Sequence, residues 1–422
     1  MNVGRAEEGT PGRPCLLDPP DSIVREHGSV PGSPHSQRQV GLPRMFQRRS
    51  WVLALCVCFT LSFIFSWLWS LVSHHKAAST ASNGMGPEPT HPCWPMARKR
   101  KPIPKATELC WELMRNPSTE ADPKRVDKDW IIRQFKLVQS CPWMHNASAL
   151  GHYREQLGRC CNASARLVLT QENTLLGSWI ILDGQQTKKL KVQEDLLEIL
   201  PQGSPFQDPP YECCAVVGNG GILRNSSCGP EIDRAQVVIR FNLPPLGFAD
   251  DVGTKSSIIT LNPSVLQSRF WGLTRRRRSF AEAVGAYGAP QLLIPALSYA
   301  GHSELAFRAL YTLEDFNSPA RALFMNPEYL VGLDRHWRRH GLHAKRLSSG
   351  FMLVSAALEL CQHVTLYGFW PFPQGPDGWF LPHHYYDDQS AKLGVHAMPE
   401  EFTHYRAMHL QGALRLHLGR CQ

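Results

Sequence analysis

The sequence predicts an α/β fold with a largely parallel sheet sandwiched by helices, and three observations carry that prediction. Short apolar runs recur between residues 213 and 367, helical patterns separate them, and the first run ends in a glycine-rich turn. Strands that alternate with helices are joined by crossovers, which favour a parallel sheet covered on both faces. Ligands of such sheets sit outside the carboxyl ends of the strands. The turns that follow the runs are therefore where function is sought.

The first run, 213–217, leads into Gly218-Asn219-Gly220-Gly221. Glycine there lets backbone N–H groups approach a phosphate or sugar, although a tight turn alone would also select it. A short helical pattern at 229–236 follows, then the run 237–241, a Pro244-Pro245 loop and the run 257–261. Beyond these, 291–294, 323–325 and 363–367 read as strands, and 305–313, 328–340 and 351–362 as helices.

The amino-terminal quarter is organised differently. Residues 1–50 are rich in Pro, Gly and Ser without apolar periodicity and read as a disordered tail. An uncharged apolar segment, 51–73, is long enough to cross a bilayer as a helix, and it is too long and too far from the start for a cleaved signal peptide. Arg38, Arg44, Arg48 and Arg49 precede it, whereas Lys76 alone follows closely, so the tail is expected in the cytosol and the rest in the lumen. Residues 74–105 read as a flexible stem and 106–422 as one catalytic domain.

Two further features agree with a luminal carboxyl end. Asn146, Asn162 and Asn225 each open an N-glycosylation sequon, and ten of the 13 cysteines lie after the apolar segment. Between 106 and 170 the pattern is amphipathic and helical, with Trp111, Leu113, Trp130, Ile131, Phe135 and Leu137 as expected buried positions. Asp127-Lys128-Asp129 spells an acidic triplet of the kind that holds a metal, but no apolar strand precedes it, so it reads as a solvated helix face. The net charge of +9 gathers in clusters at 98–101, 275–278 and 335–346, which read as solvated faces or as attraction to an anionic substrate or membrane. No zinc-finger or RNA-recognition pattern occurs, so nucleic acid is not an expected partner.

The carboxyl-terminal quarter concentrates groups able to do chemistry. Ser348-Ser349-Gly350 stands before an apolar helix, where N–H groups and hydroxyls hold an anion or simply cap the helix. Gly368-Phe369-Trp370-Pro371-Phe372 follows a strand, and then come His383-His384-Tyr385-Tyr386-Asp387 and His396-Ala397-Met398-Pro399-Glu400-Glu401. Histidine titrates near neutrality and serves as general acid or base. A zinc site is the rival reading, against which neither HExxH nor Cys-x-x-Cys occurs.

These stretches resemble the four sialylmotifs of the animal sialyltransferases, in family order over about 212–401. The 212–263 stretch resembles the large motif, 345–371 the small motif, His384-Tyr385-Tyr386-Asp387 the third, and His396 with Glu401 the very small one. Their wording is most similar to the α-2,8-sialyltransferases, especially the group making disialyl and trisialyl gangliosides. The resemblance implies a variant GT-A-like, Rossmann-like fold that uses CMP-sialic acid as donor, with no cofactor and no obligatory metal.

By the same resemblance, Asn219 and Asn242 would contact the CMP moiety, and Ser348, Ser349 and Gly350 would hold the donor, with Tyr385 beside them. His384 would steady the departing phosphate, His396 would be the general base, and Glu401 would orient or polarise the site. The family's disulfides would be Cys214–Cys361 and Cys228–Cys421, which leaves the partners of Cys93, Cys110, Cys141, Cys160, Cys161 and Cys213 open. A Golgi membrane location follows, with a sialylated glycolipid as expected acceptor, a sialylated glycoprotein glycan as runner-up, and a homodimer as one expected assembly. A catalytically silent Golgi lectin or scaffold is the alternative of a different class.

Overall fold

The structure, a computed structural model of the 422-residue chain, describes residues 110, 128–141, 143–207, 209–375, 378–389 and 397–421. The chain divides into two units, Met1–Thr90 and His91–Gln422, and every described residue belongs to the second. The tail, the apolar segment 51–73 and the stem lie outside the described residues, as do Trp111, Leu113, Asp127 and His396 and the side chains of Asp129, Ile131 and Leu137. Among the described residues no helix is long and apolar enough to cross a membrane.

Strands β1 (Trp179–Leu182) and β2 (Gln185–Lys191) form an antiparallel hairpin of their own. The main sheet contains β3 (Tyr211–Val217), β4 (Val237–Phe241), β5 (Ile258–Thr260), β6 (Gln291–Ile294), β7 (Arg321–Phe324), β8 (Cys361–Tyr367) and β9 (Arg415–His417). Its order is β7-β6-β5-β4-β3-β8-β9, with every neighbouring pair parallel. The chain steps outward from β3 to β7 and then returns to the other side of β3 as β8. The strand order reverses there, so the crevice outside the carboxyl ends of β3 and β8 is the topological switch point.

The longer helices are α1 (Lys128–Ser140), α2 (Ala147–Cys160), α3 (Pro263–Phe270), α4 (Arg277–Gly285), α5 (Ala300–Asp315), α6 (Pro327–Arg339), α7 (Ser349–Leu360) and α8 (Met398–Leu410). Central strands must be apolar on both faces, and β3 shows the period of two that this demands. Cys214 and Val216 face one core, while Ala215 and Val217 face another. The first core holds α7, buried from Phe351 to Leu360, together with Trp130, Phe135, Leu157, Trp337 and Phe402. A helix apolar all round can survive only when packed on every side.

Disulfides join Cys214 to Cys361 and Cys228 to Cys421, across loops of 147 and 193 residues. Cross-links over loops this long remove a few kcal/mol of unfolded-chain entropy, about 3–5 in the chain-entropy model. Cys110 pairs with Cys141 and Cys160 with its neighbour Cys161, and Cys213 is also disulfide-bonded.

One buried carboxyl makes stability depend on pH. Glu359, 9 % exposed, accepts the Ala163 N–H at 2.9 Å and the Tyr329 hydroxyl at 3.4 Å. Burial raises its pKa to about 7, outweighing those bonds, which favour the ionised form. A value raised above the ordinary 4.5 means that the stability of the protonated form is whole below about 4.5 and is lost as pH rises through about 7. That loss is about 3 kcal/mol. His409, buried and lowered to about 4, acts oppositely: its contribution is present above 6.5 and lost as pH falls through about 4. Urea midpoints of Glu359→Gln should lose the neutral-side slope and keep the acid-side one; a neutral slope equal to the parent's would contradict this assignment.

Candidate active site

The glycine turn at the end of β3 and Gly368 at the end of β8 cross at the switch point. Gly218 N–H donates to the Tyr367 carbonyl at 2.7 Å and Gly220 N–H to the Gly368 carbonyl at 3.2 Å. A Cβ on Gly220 would lie 2.4 Å from the Gly368 oxygen, and Gly368 itself has φ +74°. Side chains at either position would push the two loops apart and open the crevice floor.

Asn219 stands on this floor. Its Nδ2 donates to the Phe241 carbonyl at 3.1 Å, its carbonyl accepts the Tyr385 N–H at 3.0 Å, and its buried Oδ1 has no hydrogen-bond partner among the described residues. An unpaired buried acceptor costs about 1–3 kcal/mol, and a ligand donor would recover that cost. Asn242, at the end of β4, takes φ +64°, a left-handed conformation that Asn tolerates better than most residues. Its Oδ1 accepts the Asn262 N–H at 3.0 Å, and Asn262 Oδ1 accepts the Ser349 hydroxyl at 3.3 Å. Three loops of the crevice are thereby linked through Asn262, a residue the sequence reading missed. An Asn-Pro pair after an apolar run was its only signal.

Ser348 caps α7, its Oγ accepting the Phe351 N–H at 3.0 Å, so the helix begins at Ser349 and Gly350. The positive end of a twelve-residue helix therefore lies where an anionic ligand group gains most. Glu401 on α8 is 1 % exposed, and its carboxylate accepts the Ser348 N–H at 2.7 Å and the Ser348 hydroxyl at 2.5 Å. The expectation for Glu401 is that it orients or polarises the site, and the contact the structure gives it is with Ser348. It is a buried clamp on the serine, and hence a positioning residue. Glu401→Gln turns one acceptor into a donor facing a donor, and is expected to cost about 2 kcal/mol of stability and to raise the donor KM with little change in kcat. A melting temperature and donor KM like the parent's would refute the clamp.

His384 pairs with Gly220 across an isolated bridge, which sets its ring beside the glycine turn. Its Nδ1 lies 2.5 Å from Asp387 Oδ2. An ionised carboxylate only accepts, so Nδ1 carries the proton and Nε2 is the nitrogen left to face a ligand. Burial alone would raise the Asp387 pKa; the bond from His384 and the 3.2 Å amide bonds of His384 and Gln389 outweigh it and lower the value. Tyr386 stacks on the His384 ring at 4.9 Å and 6°. Arg224 fastens the loop from below, donating to the Tyr385 and Asp387 carbonyls at 3.1 and 2.8 Å and to Asp388 Oδ1 at 2.8 Å.

Tyr385, expected beside the donor, is buried. Its ring is 1 % exposed against Phe248, and its hydroxyl donates to the Pro245 carbonyl at 3.1 Å. It braces the loop under the site. Tyr386, next in sequence, takes the position beside His384. Within the 335–346 basic cluster, Arg346 pairs with Asp183 at 2.7 Å and Arg338 with Asp334 at 2.6 Å.

The crevice thus gathers an amide acceptor, a helix amino terminus and an oriented imidazole, an arrangement suited to a ligand that carries both a donor group and negative charge.

Residues 168–413 match the model of glycosyltransferase family 29 (sialyltransferase). The chain is 40% identical over 298 residues to human alpha-2,8-sialyltransferase 8E, covering 70% of this chain and 79% of that protein. It is 42% identical over 317 residues to alpha-N-acetylneuraminide alpha-2,8-sialyltransferase of Xenopus laevis, covering 74% and 86%. To mouse alpha-2,8-sialyltransferase 8F it is 37% identical over 319 residues, covering 75% and 80%.

Proposed function

The chain belongs to glycosyltransferase family 29, the sialyltransferases, and from that we propose that it moves sialic acid from CMP-sialic acid to the 8-hydroxyl of a terminal sialic acid on a glycolipid. The observation that carries this reading is the convergence of the Asn219 turn, the α7 amino terminus and the His384–Asp387 pair on one crevice. The sheet would be a variant of the GT-A-like arrangement.

Asn219 and Asn242 would meet the cytidine monophosphate, with Asn219 Oδ1 accepting from the base or ribose. Ser349 and Gly350, held by the Glu401–Ser348 clamp, would receive the sialic acid carboxylate. As the bond from the anomeric carbon to the phosphate oxygen lengthens, negative charge grows on the phosphate, and His384 in its imidazolium form, its Nδ1–H held by Asp387, would donate its Nε2–H to it. His396 would remove the acceptor's hydroxyl proton as that oxygen attacks from the opposite face. One displacement inverts the configuration through an oxocarbenium-like state.

A single phosphate needs less neutralisation than a diphosphate, and the helix end and imidazole supply it, so no metal is required by this chemistry. Transfer should therefore persist within about twofold in EDTA, the scale of a nonspecific effect rather than of a lost Lewis acid. Loss of activity with rescue by Mn²⁺ would overturn the metal-free mechanism.

The location proposed is the Golgi membrane, with residues 51–73 as a single-pass anchor and the head in the lumen. Asn146, Asn162 and Asn225 are all exposed, which glycan attachment requires.

A further inference from the structure

The β1–β2 hairpin carries a face that neither the core nor the crevice uses. β1 alternates: Ile180 and Leu182 are buried, while Trp179 and Ile181 are 53 % and 56 % exposed. Leu175 and Leu176, in the turn just before it, are 72 % and 55 % exposed, so four large apolar side chains open to solvent within seven residues. Scattered single apolar residues are ordinary on a surface, but a contiguous group marks a contact.

Lysines of β2 border this patch on one side. The register pairs Trp179 with Lys191 and Ile181 with Lys189, and Lys189 Nζ sits 4.4 Å from the Trp179 ring centre. Lys189 and Lys191 are exposed on the face of Trp179 and Ile181, and the acids Glu194 and Asp195 come only after β2 has ended.

We propose that this hairpin face docks on the surface of a bilayer rich in acidic lipid, seating Trp179, Ile181, Leu175 and Leu176 among the headgroups while the lysines pair with their charges. Tryptophan with aliphatic residues and a lysine border is the composition that favours the membrane interface. Lysine is depleted from protein–protein interfaces, which argues against a second copy as occupant.

The docked face is joined to the crevice by short bonds. At the hairpin turn Asp183 accepts from Arg346 at 2.7 Å and from the Ser298 hydroxyl at 2.7 Å, and Gly184 N–H donates to the Ser298 carbonyl at 2.9 Å. Arg346 stands two residues before Ser348. Seating the hairpin on a bilayer would therefore orient the donor-holding serine relative to lipid-borne acceptors. This last step rests on the glycolipid reading; the docking itself does not.

The test uses the full chain reconstituted in phosphatidylserine–phosphatidylcholine vesicles doped with a photoactivatable phosphatidylserine, with adducts mapped by peptide mass spectrometry. Adducts are expected on 175–191, falling about fivefold or more in the double variant Trp179→Ser, Ile181→Ser, the scale set by losing two interfacial anchors, while adducts on 51–73 stay constant. Hairpin adducts absent, unchanged in the variant, or replaced by cross-links to a second copy would overturn the proposal. With active protein, the variant should raise the KM for a vesicle-embedded sialylated glycolipid about tenfold, with turnover of a soluble sialyl-oligosaccharide unchanged. An equal loss on both acceptors would overturn the orienting role. If neither acceptor is extended while the adducts persist, the transfer reading fails and the docking stands.

Discussion

His396→Ala is expected to lower turnover by about 10²–10⁴-fold, the range a positioned general base contributes, while CMP binds as tightly as to the parent. The proposed base touches only the acceptor's hydroxyl, so its loss should leave the donor's contacts alone. The chain just beyond it is firmly held: the Ala397 carbonyl accepts the Glu401 N–H at 2.9 Å, and Glu401 is itself bonded to Ser348. Titration calorimetry with CMP beside single-turnover kinetics separates the two effects. Turnover near the parent's value would remove His396 from the mechanism, and a parallel loss of CMP affinity would make it a structural residue.

His384→Ala should cost about 10²–10³ in kcat, the usual loss when one preorganised donor to a developing charge is removed. The expectation follows from its setting. The ring is stacked on Tyr386, and its Nδ1 is fixed by Asp387 at 2.5 Å, so Nε2 needs no reorganisation as the phosphate departs. Asp387→Asn should give a smaller loss, about 10-fold or more, because a neutral amide no longer supports the imidazolium whose Nε2–H donates to the phosphate. Donor KM should change little in either variant. A variant that loses donor affinity but keeps kcat would show that His384 binds the ground state and transition state equally.

Much of the sheet was legible because burial on both faces forces near-continuous apolar runs. The runs at 237–241 and 291–294 fall on the residues of β4 and β6. The β1–β2 hairpin was not legible. Its second strand, Gln185–Lys191, is polar and almost wholly exposed, so no apolar alternation announces it. β9 is three residues long and borrows its identity from pairing with β8.

The site divides in the same way. Asn219, Ser348 and His384 stand in short segments whose glycine, serine and histidine content signals close approach and chemistry. Their supports come from far along the chain: Glu401 lies 53 residues from Ser348, and Asn262 87 residues from Ser349. No local pattern encodes such pairs. Tyr385 and Tyr386 show the limit most sharply, since identical neighbours place one ring fully in the core and the other, half-buried, against His384.

The central claim is tested most directly by the linkage of the product. The full chain, given CMP-sialic acid, would be offered a monosialylated lactosylceramide, a sialylated glycoprotein and the asialo form of each, with linkage read by mass spectrometry. The account predicts extension of sialylated acceptors alone, through an α-2,8 bond, with the glycolipid preferred. Transfer to asialo galactose ends would contradict it.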